Sequence, residues 1–191
     1  MKVYFTASLR GNLIEGLDYK IIYKILEKSG HTHLDSTLLN SDIQEFYNNS
    51  ASKQLNLYKK THENIGRADV VILEVSVPSL SMGYVLHKAL DASKPVILLY
   101  KKGFDPHFAM SIQHDKLQVL EYDDANLERD MNTSLEIAQE NADVRFNFFI
   151  PPKIGRYLDW ISKFKKIPRS VYLRSLIEDD MRANQDYSDT S

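Results

Sequence analysis

The chain has 191 residues, 43% of them hydrophobic, and a formal net charge of −2, which suits one α/β domain of ordinary size plus a small appendage. It has no cysteine, excluding disulfides and thiolate metal sites, and no apolar run of the ~18 residues that a membrane span requires. The opening MKVYFTASLRG is too short and too polar for a secretory signal and reads as a first strand, so a cytoplasmic location is expected.

In chain order, the strand-like runs KVYFTA, HTHLDS, DVVILEVS, KPVILLYK and KLQVLEY alternate with helical stretches. The helices are expected from Glu15 to Lys28, from about Ser41 to Gly66, from Met82 to Ala92, briefly near Phe108, and from Asn126 to Asn141. This alternation predicts an α/β fold, a Rossmann-like doubly wound parallel sheet of about five strands. VVILEV and PVILLY are near-continuous apolar runs, as expected of central strands covered on both faces. Ligands of such sheets bind at the carboxyl ends of the strands, so the loops TASLRGN and SVPSLSMG should line one crevice.

After Asp143 the pattern changes. VRFNFFIPP has a period of two, and Pro151 and Pro152 stop it and suit the first turn of a helix with Ile154, Tyr157, Leu158, Ile161 and Phe164 on one face. A second helix follows KKIP, with Leu173, Leu176, Ile177 and Met181 inward. The expected divisions are therefore an α/β domain over 1–143, a strand-helix-helix unit over 144–183, and a disordered tail over 184–191. About 40 residues bury too little to stand alone, so this unit should need a partner chain. It holds nine Lys/Arg against Asp159, Glu178, Asp179 and Asp180, a net of +5 that leaves −7 for the remainder. Such a bias suits either a solvated face or a polyanion partner.

Through RFNFFIPPKI and RSVYLRSLI, residues 144–183 resemble the ribbon-helix-helix DNA-binding family that includes Arc and MetJ. The resemblance implies a homodimer on double-stranded DNA. It assigns base contacts to Arg145, Asn147 and Phe149, and a phosphate grip to Arg169 and Ser170 at the second helix. Phe149 departs from the polar residues usual there, and Pro168 from the usual hydroxylic cap.

Through VYFTASLRG, ADVVILEVSVPSLSMGYVLHKA, KPVILLY and FAMSI, residues 1 to about 125 resemble the nucleoside 2-deoxyribosyltransferase superfamily. Within it the likeness is to the 2'-deoxynucleoside 5'-phosphate N-hydrolases. The resemblance implies a homodimer that cleaves an N-glycosidic bond with a glutamate nucleophile and an assisting aspartate. The nucleophile follows a Gly-Tyr pair, here Gly83 and Tyr84, and its slot holds Val85; the aspartate's slot falls on Thr61. The ligand-holding positions that the likeness carries over are Ser79, Ser81 and Gly83 around a 5'-phosphate, Ser8, Arg10 and Gly11 near sugar or base, and Ser111 toward the partner chain's phosphate.

Each of these has a plainer reading. Ser79 and Ser81 suit helix caps, Arg10 suits a surface charge, and Asp69 suits a turn before its strand. Glu74, inside an apolar strand, suits either a substitute acid or a buried pairing with Arg10 or another base. The six histidines show no metal-ligand spacing, and no cofactor is expected. The two resemblances together predict a dimeric DNA-binding transcriptional regulator that is not an enzyme, its catalytically degenerate domain kept to bind or sense a deoxynucleoside monophosphate. The alternative is an active nucleoside or nucleotide deoxyribosyltransferase or N-glycosidase using a substitute acid such as Glu74. A third reading is a repressor or antitoxin with a purely structural N-terminal domain.

Overall fold

Alternation of side chains along three central strands divides the interior into two layers. In the computed structural model, which describes residues 1–14, 16–41, 43–48, 50–140 and 148–184, five strands form one parallel sheet in the order β2-β1-β3-β4-β5. They are β1 (Lys2–Ala7), β2 (Thr32–His33), β3 (Val70–Glu74), β4 (Val96–Lys101) and β5 (Leu117–Tyr122). The register runs Val3↔Val70 to Ala7↔Glu74 between β1 and β3, and Val71↔Val96 to Glu74↔Leu99 between β3 and β4. One face carries Val3, Phe5, Val70, Ile72, Ile97 and Leu99 into a core with α1 (Tyr19–Lys28) and α7 (Leu127–Glu140). The other carries Tyr4, Val71, Leu73, Val96 and Leu98 against α4 (Ala51–Arg67) and α5 (Leu80–Asp91). Because both faces are covered, the apolar runs of β3 and β4 are nearly unbroken.

Local signals explain the helix boundaries. Asp18 accepts a hydrogen bond from the Lys20 amide at 2.9 Å, so α1 starts at Tyr19, four residues later than expected. The helix expected from Ser41 to Gly66 is broken into α3 (Ile43–Tyr47) and α4, and a separate short helix, α2 (Thr37–Asn40), precedes it. Ser50 is extended and caps α4 through the Lys53 amide, restarting the helix after the Asn48–Ser50 polar stretch. The short α6 spans His107–Met110, and a 3-10 turn spans Leu9–Leu13.

The chain divides into two compact units, Met1–Val144 and Arg145–Ser191. The second holds α8 (Pro152–Lys165) and α9 (Arg169–Ala183). Lys166 in the left-handed conformation ends α8. Of the inward positions expected here, Leu158 and Ile161 are buried, whereas Ile154, Tyr157, Phe164, Leu176, Ile177 and Met181 are exposed. Two helices enclose too little volume to cover both apolar faces. The expected ribbon is not seen among the described residues: 145–147 lie outside them, and Phe148–Ile150 form no strand. No helix among the described residues is long and apolar enough to cross a membrane.

Candidate active site

The strand order reverses direction between β1 and β3, and at such a switch point the two following loops part and leave a crevice at the carboxyl edge. Here the 3-10 turn after β1 and the segment before α5 face each other. Arg10 joins them, its Nη2 donating to the Pro78 carbonyl at 2.9 Å. The crevice holds a cavity of about 160 Å³ whose wall includes Ser8, Asp35, Thr61, Ser79, Ser81 and Val85.

Two features of this wall invite an anion. Ser79 sits at the extended N-cap of α5, yet its side chain makes no capping bond and donates instead to the Ser81 hydroxyl at 3.4 Å, so the first amides of a 12-residue helix are left for other partners. Ser8 is 4% exposed, and its Oγ has no hydrogen-bond partner among the described residues. A buried hydroxyl without a partner is uncommon in a folded protein, and a ligand oxygen here would satisfy it.

Among the described residues the wall also has one carboxylate. Asp35 follows β2 and is buried; its Oδ1 accepts from the Thr37 amide at 2.7 Å and from the Thr37 hydroxyl, and its Oδ2 from Asn64 Nδ2 at 2.9 Å. Lys60 Nζ lies 3.2 Å from Oδ1 and 3.1 Å from Oδ2. Burial opposes ionisation, but the Thr37 and Lys60 bonds outweigh it and hold the carboxyl below its ordinary value. Nearby, Tyr4 donates to Thr61 at 3.4 Å. A chain of hydroxyls ties α4 to α5 beside the cavity: Tyr84 donates to Tyr58 at 3.0 Å and lies 2.6 Å from His62 Nε2.

Glu74 is elsewhere. Strand alternation turns it with Val70 and Ile72 toward α1, away from the α4 and α5 face, and it does not line the cavity. It is fully buried; Oε1 accepts from the Ser76 hydroxyl, the Ser76 amide and Tyr122, and Oε2 lies 3.3 Å from the Tyr19 hydroxyl. The expected pairing with Arg10 is absent, because Arg10 is exposed and turned to Pro78. Desolvation raises the Glu74 pKa despite these hydrogen bonds.

Of the ligand positions carried over from the sequence, Ser8, Ser79 and Ser81 meet on the cavity wall. Gly11 is buried under Tyr19, where a Cβ would come within 1.8 Å of the tyrosine oxygen, so its demand is steric. Gly83 borders a separate apolar groove between α5 and α6, and the exposed Ser111 donates to the Phe108 carbonyl at 2.8 Å. Asp69 accepts from the Lys2 amide at 2.6 Å, fixing the entry to β3. Arg145 and Asn147 lie outside the described residues; Phe149 is fully exposed, Arg169 pairs with Asp159, and Ser170 is exposed in the first turn of α9. Asp35 was hidden in the sequence by its neighbours' strand pattern; the available signal was an acid at the carboxyl end of a second strand, where doubly wound sheets often meet a sugar.

No protein-family model matches the sequence. A protein of Syntrophotalea carbinolica named as a 2'-deoxynucleoside 5'-phosphate N-hydrolase is 30% identical over 125 residues, 64% of this chain and 85% of that protein. The chain belongs to the 2'-deoxynucleoside 5'-phosphate N-hydrolase family. The 5-hydroxymethyl-dUMP N-hydrolase of Rattus norvegicus is 28% identical over 99 residues, 52% of this chain and 60% of that protein's length. A solved structure, the CMP N-glycosidase BcmB of Clostridium botulinum, aligns with a TM-score of 0.44 and 16% identity over 71% of this chain and 99% of that one. Membership among proteins named as N-hydrolases overturns the expectation that the chain is not an enzyme. It rested on Thr61 and Val85 alone, and residue identity at two slots says nothing about acids that reach the same cavity from other elements. The relatives give no support to a DNA-binding regulator.

Proposed function

We propose that the chain hydrolyses the N-glycosidic bond of a nucleoside 5'-monophosphate, releasing free base and a pentose 5-phosphate. The carrying observation is the cavity at the β1/β3 switch point, where the buried, unpartnered Ser8 Oγ shares a wall with Ser79, Ser81 and the N-terminus of α5. Backbone amides and the helix dipole stabilise a phosphate there, and the Ser8 and Ser81 hydroxyls each offer a donor. Binding energy from the phosphate then orients the sugar against the rest of the wall. The family names of the relatives support the same bond type.

The test is chromatographic release of free base from a panel of ribo- and deoxyribonucleoside monophosphates and the matching nucleosides. Release from at least one monophosphate, exceeding that from its nucleoside, is the expected result. No release from any of them, or equal rates with and without the phosphate, overturns the reading.

A further inference from the structure

Resting on the cavity as an N-glycosidase site, we propose that Asp35 is its catalytic carboxylate, delivered from the β2–α2 turn in place of acids at positions 61 and 85. The cavity wall holds Asp35 together with Thr61 and Val85, so the three positions share one space although they come from three elements. Neither threonine nor valine can carry charge or take a proton at neutral pH. Asp35 can do both.

Cleavage breaks the C1'–N bond, with the electron pair going to the base, which takes a proton from solvent. Positive charge grows at C1' as this happens, and a fixed carboxylate stabilises it. A water oxygen then bonds to C1' and gives one proton to Asp35, which passes it to bulk water. No covalent intermediate and no further reactant is needed. The carboxylate is held for this by Thr37 on its own turn and by Lys60 and Asn64 from α4. The other titratable groups facing it are Tyr4 on β1 and Tyr23 on α1, whose hydroxyl donates to the Asp35 carbonyl at 2.9 Å. Lys60 is the only cation recorded against it among the described residues.

A group that merely anchors a sugar hydroxyl acts on KM; a group that stabilises the transition state acts on kcat. Asp35→Asn, in the full chain, should lower kcat for base release by roughly 100-fold or more, the scale of removing one preorganised electrostatic group, with KM changed little. Asp35→Glu should recover part of the loss. Since Asp35 also holds its turn, Lys60→Met provides an independent readout: without the cation Asp35 protonates more readily, and the acid limb of the pH profile of kcat moves to higher pH. Wild-type kcat in a folded Asp35→Asn chain overturns the inference and leaves the N-glycosidase reading standing. A loss expressed in KM alone, or an acid limb unmoved in Lys60→Met, overturns it likewise. Failure of the wild-type chain to release base from any monophosphate overturns both.

Discussion

Two buried carboxyl groups at the carboxyl edge of one sheet have been given opposite environments. Asp35 faces a cavity, has a cation at 3.1 Å and accepts from an amide, a hydroxyl and a carboxamide. Glu74 faces the sealed core between β3 and α1, and its partners are hydroxyls and one amide, with no cation among them. Tyr19 has one hydroxyl proton and two acceptors within reach, the Ser8 carbonyl at 3.0 Å and Glu74 at 3.3 Å. Environment, and not residue type, therefore separates a carboxyl held below its ordinary pKa beside a ligand cavity from one pushed above it in a sealed core.

The largest expected effect attacks the Glu74 side through its supporting tyrosine. Gly11→Ala places a Cβ on the Tyr19 ring and should cost about 3 kcal/mol, the upper range for overpacking a filled site, measured by urea unfolding. Next, Asp35→Asn removes charge-assisted bonds and should cost about 2 kcal/mol at neutral pH. Because the folded-state pKa of Asp35 is depressed, that stability is present above the ordinary aspartate value and lost as pH falls through the folded one. The gap between wild type and variant should accordingly close in acid.

A subtler change sharpens the contrast between cavity and core. Ser8→Ala should weaken nucleoside monophosphate binding about tenfold, close to 1.4 kcal/mol, in calorimetric titration. It should leave stability unchanged or slightly raised, since the hydroxyl it deletes has no protein partner among the described residues. The smallest effect falls on Glu74→Gln. The folded-state pKa of Glu74 is raised, so its stabilising contribution is full below the ordinary glutamate value and declines as pH rises through the folded one. The glutamine chain should match wild type in acid and exceed it by less than about 1 kcal/mol at pH 8, with base release unaffected.

Much of the α/β unit can be read from local pattern. Val70 to Leu73 and Val96 to Leu99 are apolar at every position because helices cover both faces, and the Pro78 to Met82 stretch marks a strand-to-helix turn at the crevice. The unread parts depend on distance in the chain. Asp35 acquires its meaning from Lys60 and Asn64, 25 and 29 residues away, on a helix whose start depends on the Ser50 cap. Glu74 looks equally suited to catalysis or structure until strand register decides which face it takes. In the second unit, helical spacing identifies α8 and α9, but spacing alone does not show that Leu158 and Ile161 would be buried while Trp160 and Phe164 remain exposed with their rings stacked 5.2 Å apart.

The most direct measurement is carbon-13 NMR of the side-chain carboxyl groups of Asp35 and Glu74 across pH, repeated with a nucleoside 5'-monophosphate that the chain cleaves. The account predicts that Asp35 titrates below an ordinary aspartate and shifts when the nucleotide is added, while Glu74 titrates above an ordinary glutamate and does not respond. A nucleotide response at Glu74 with none at Asp35 would contradict it.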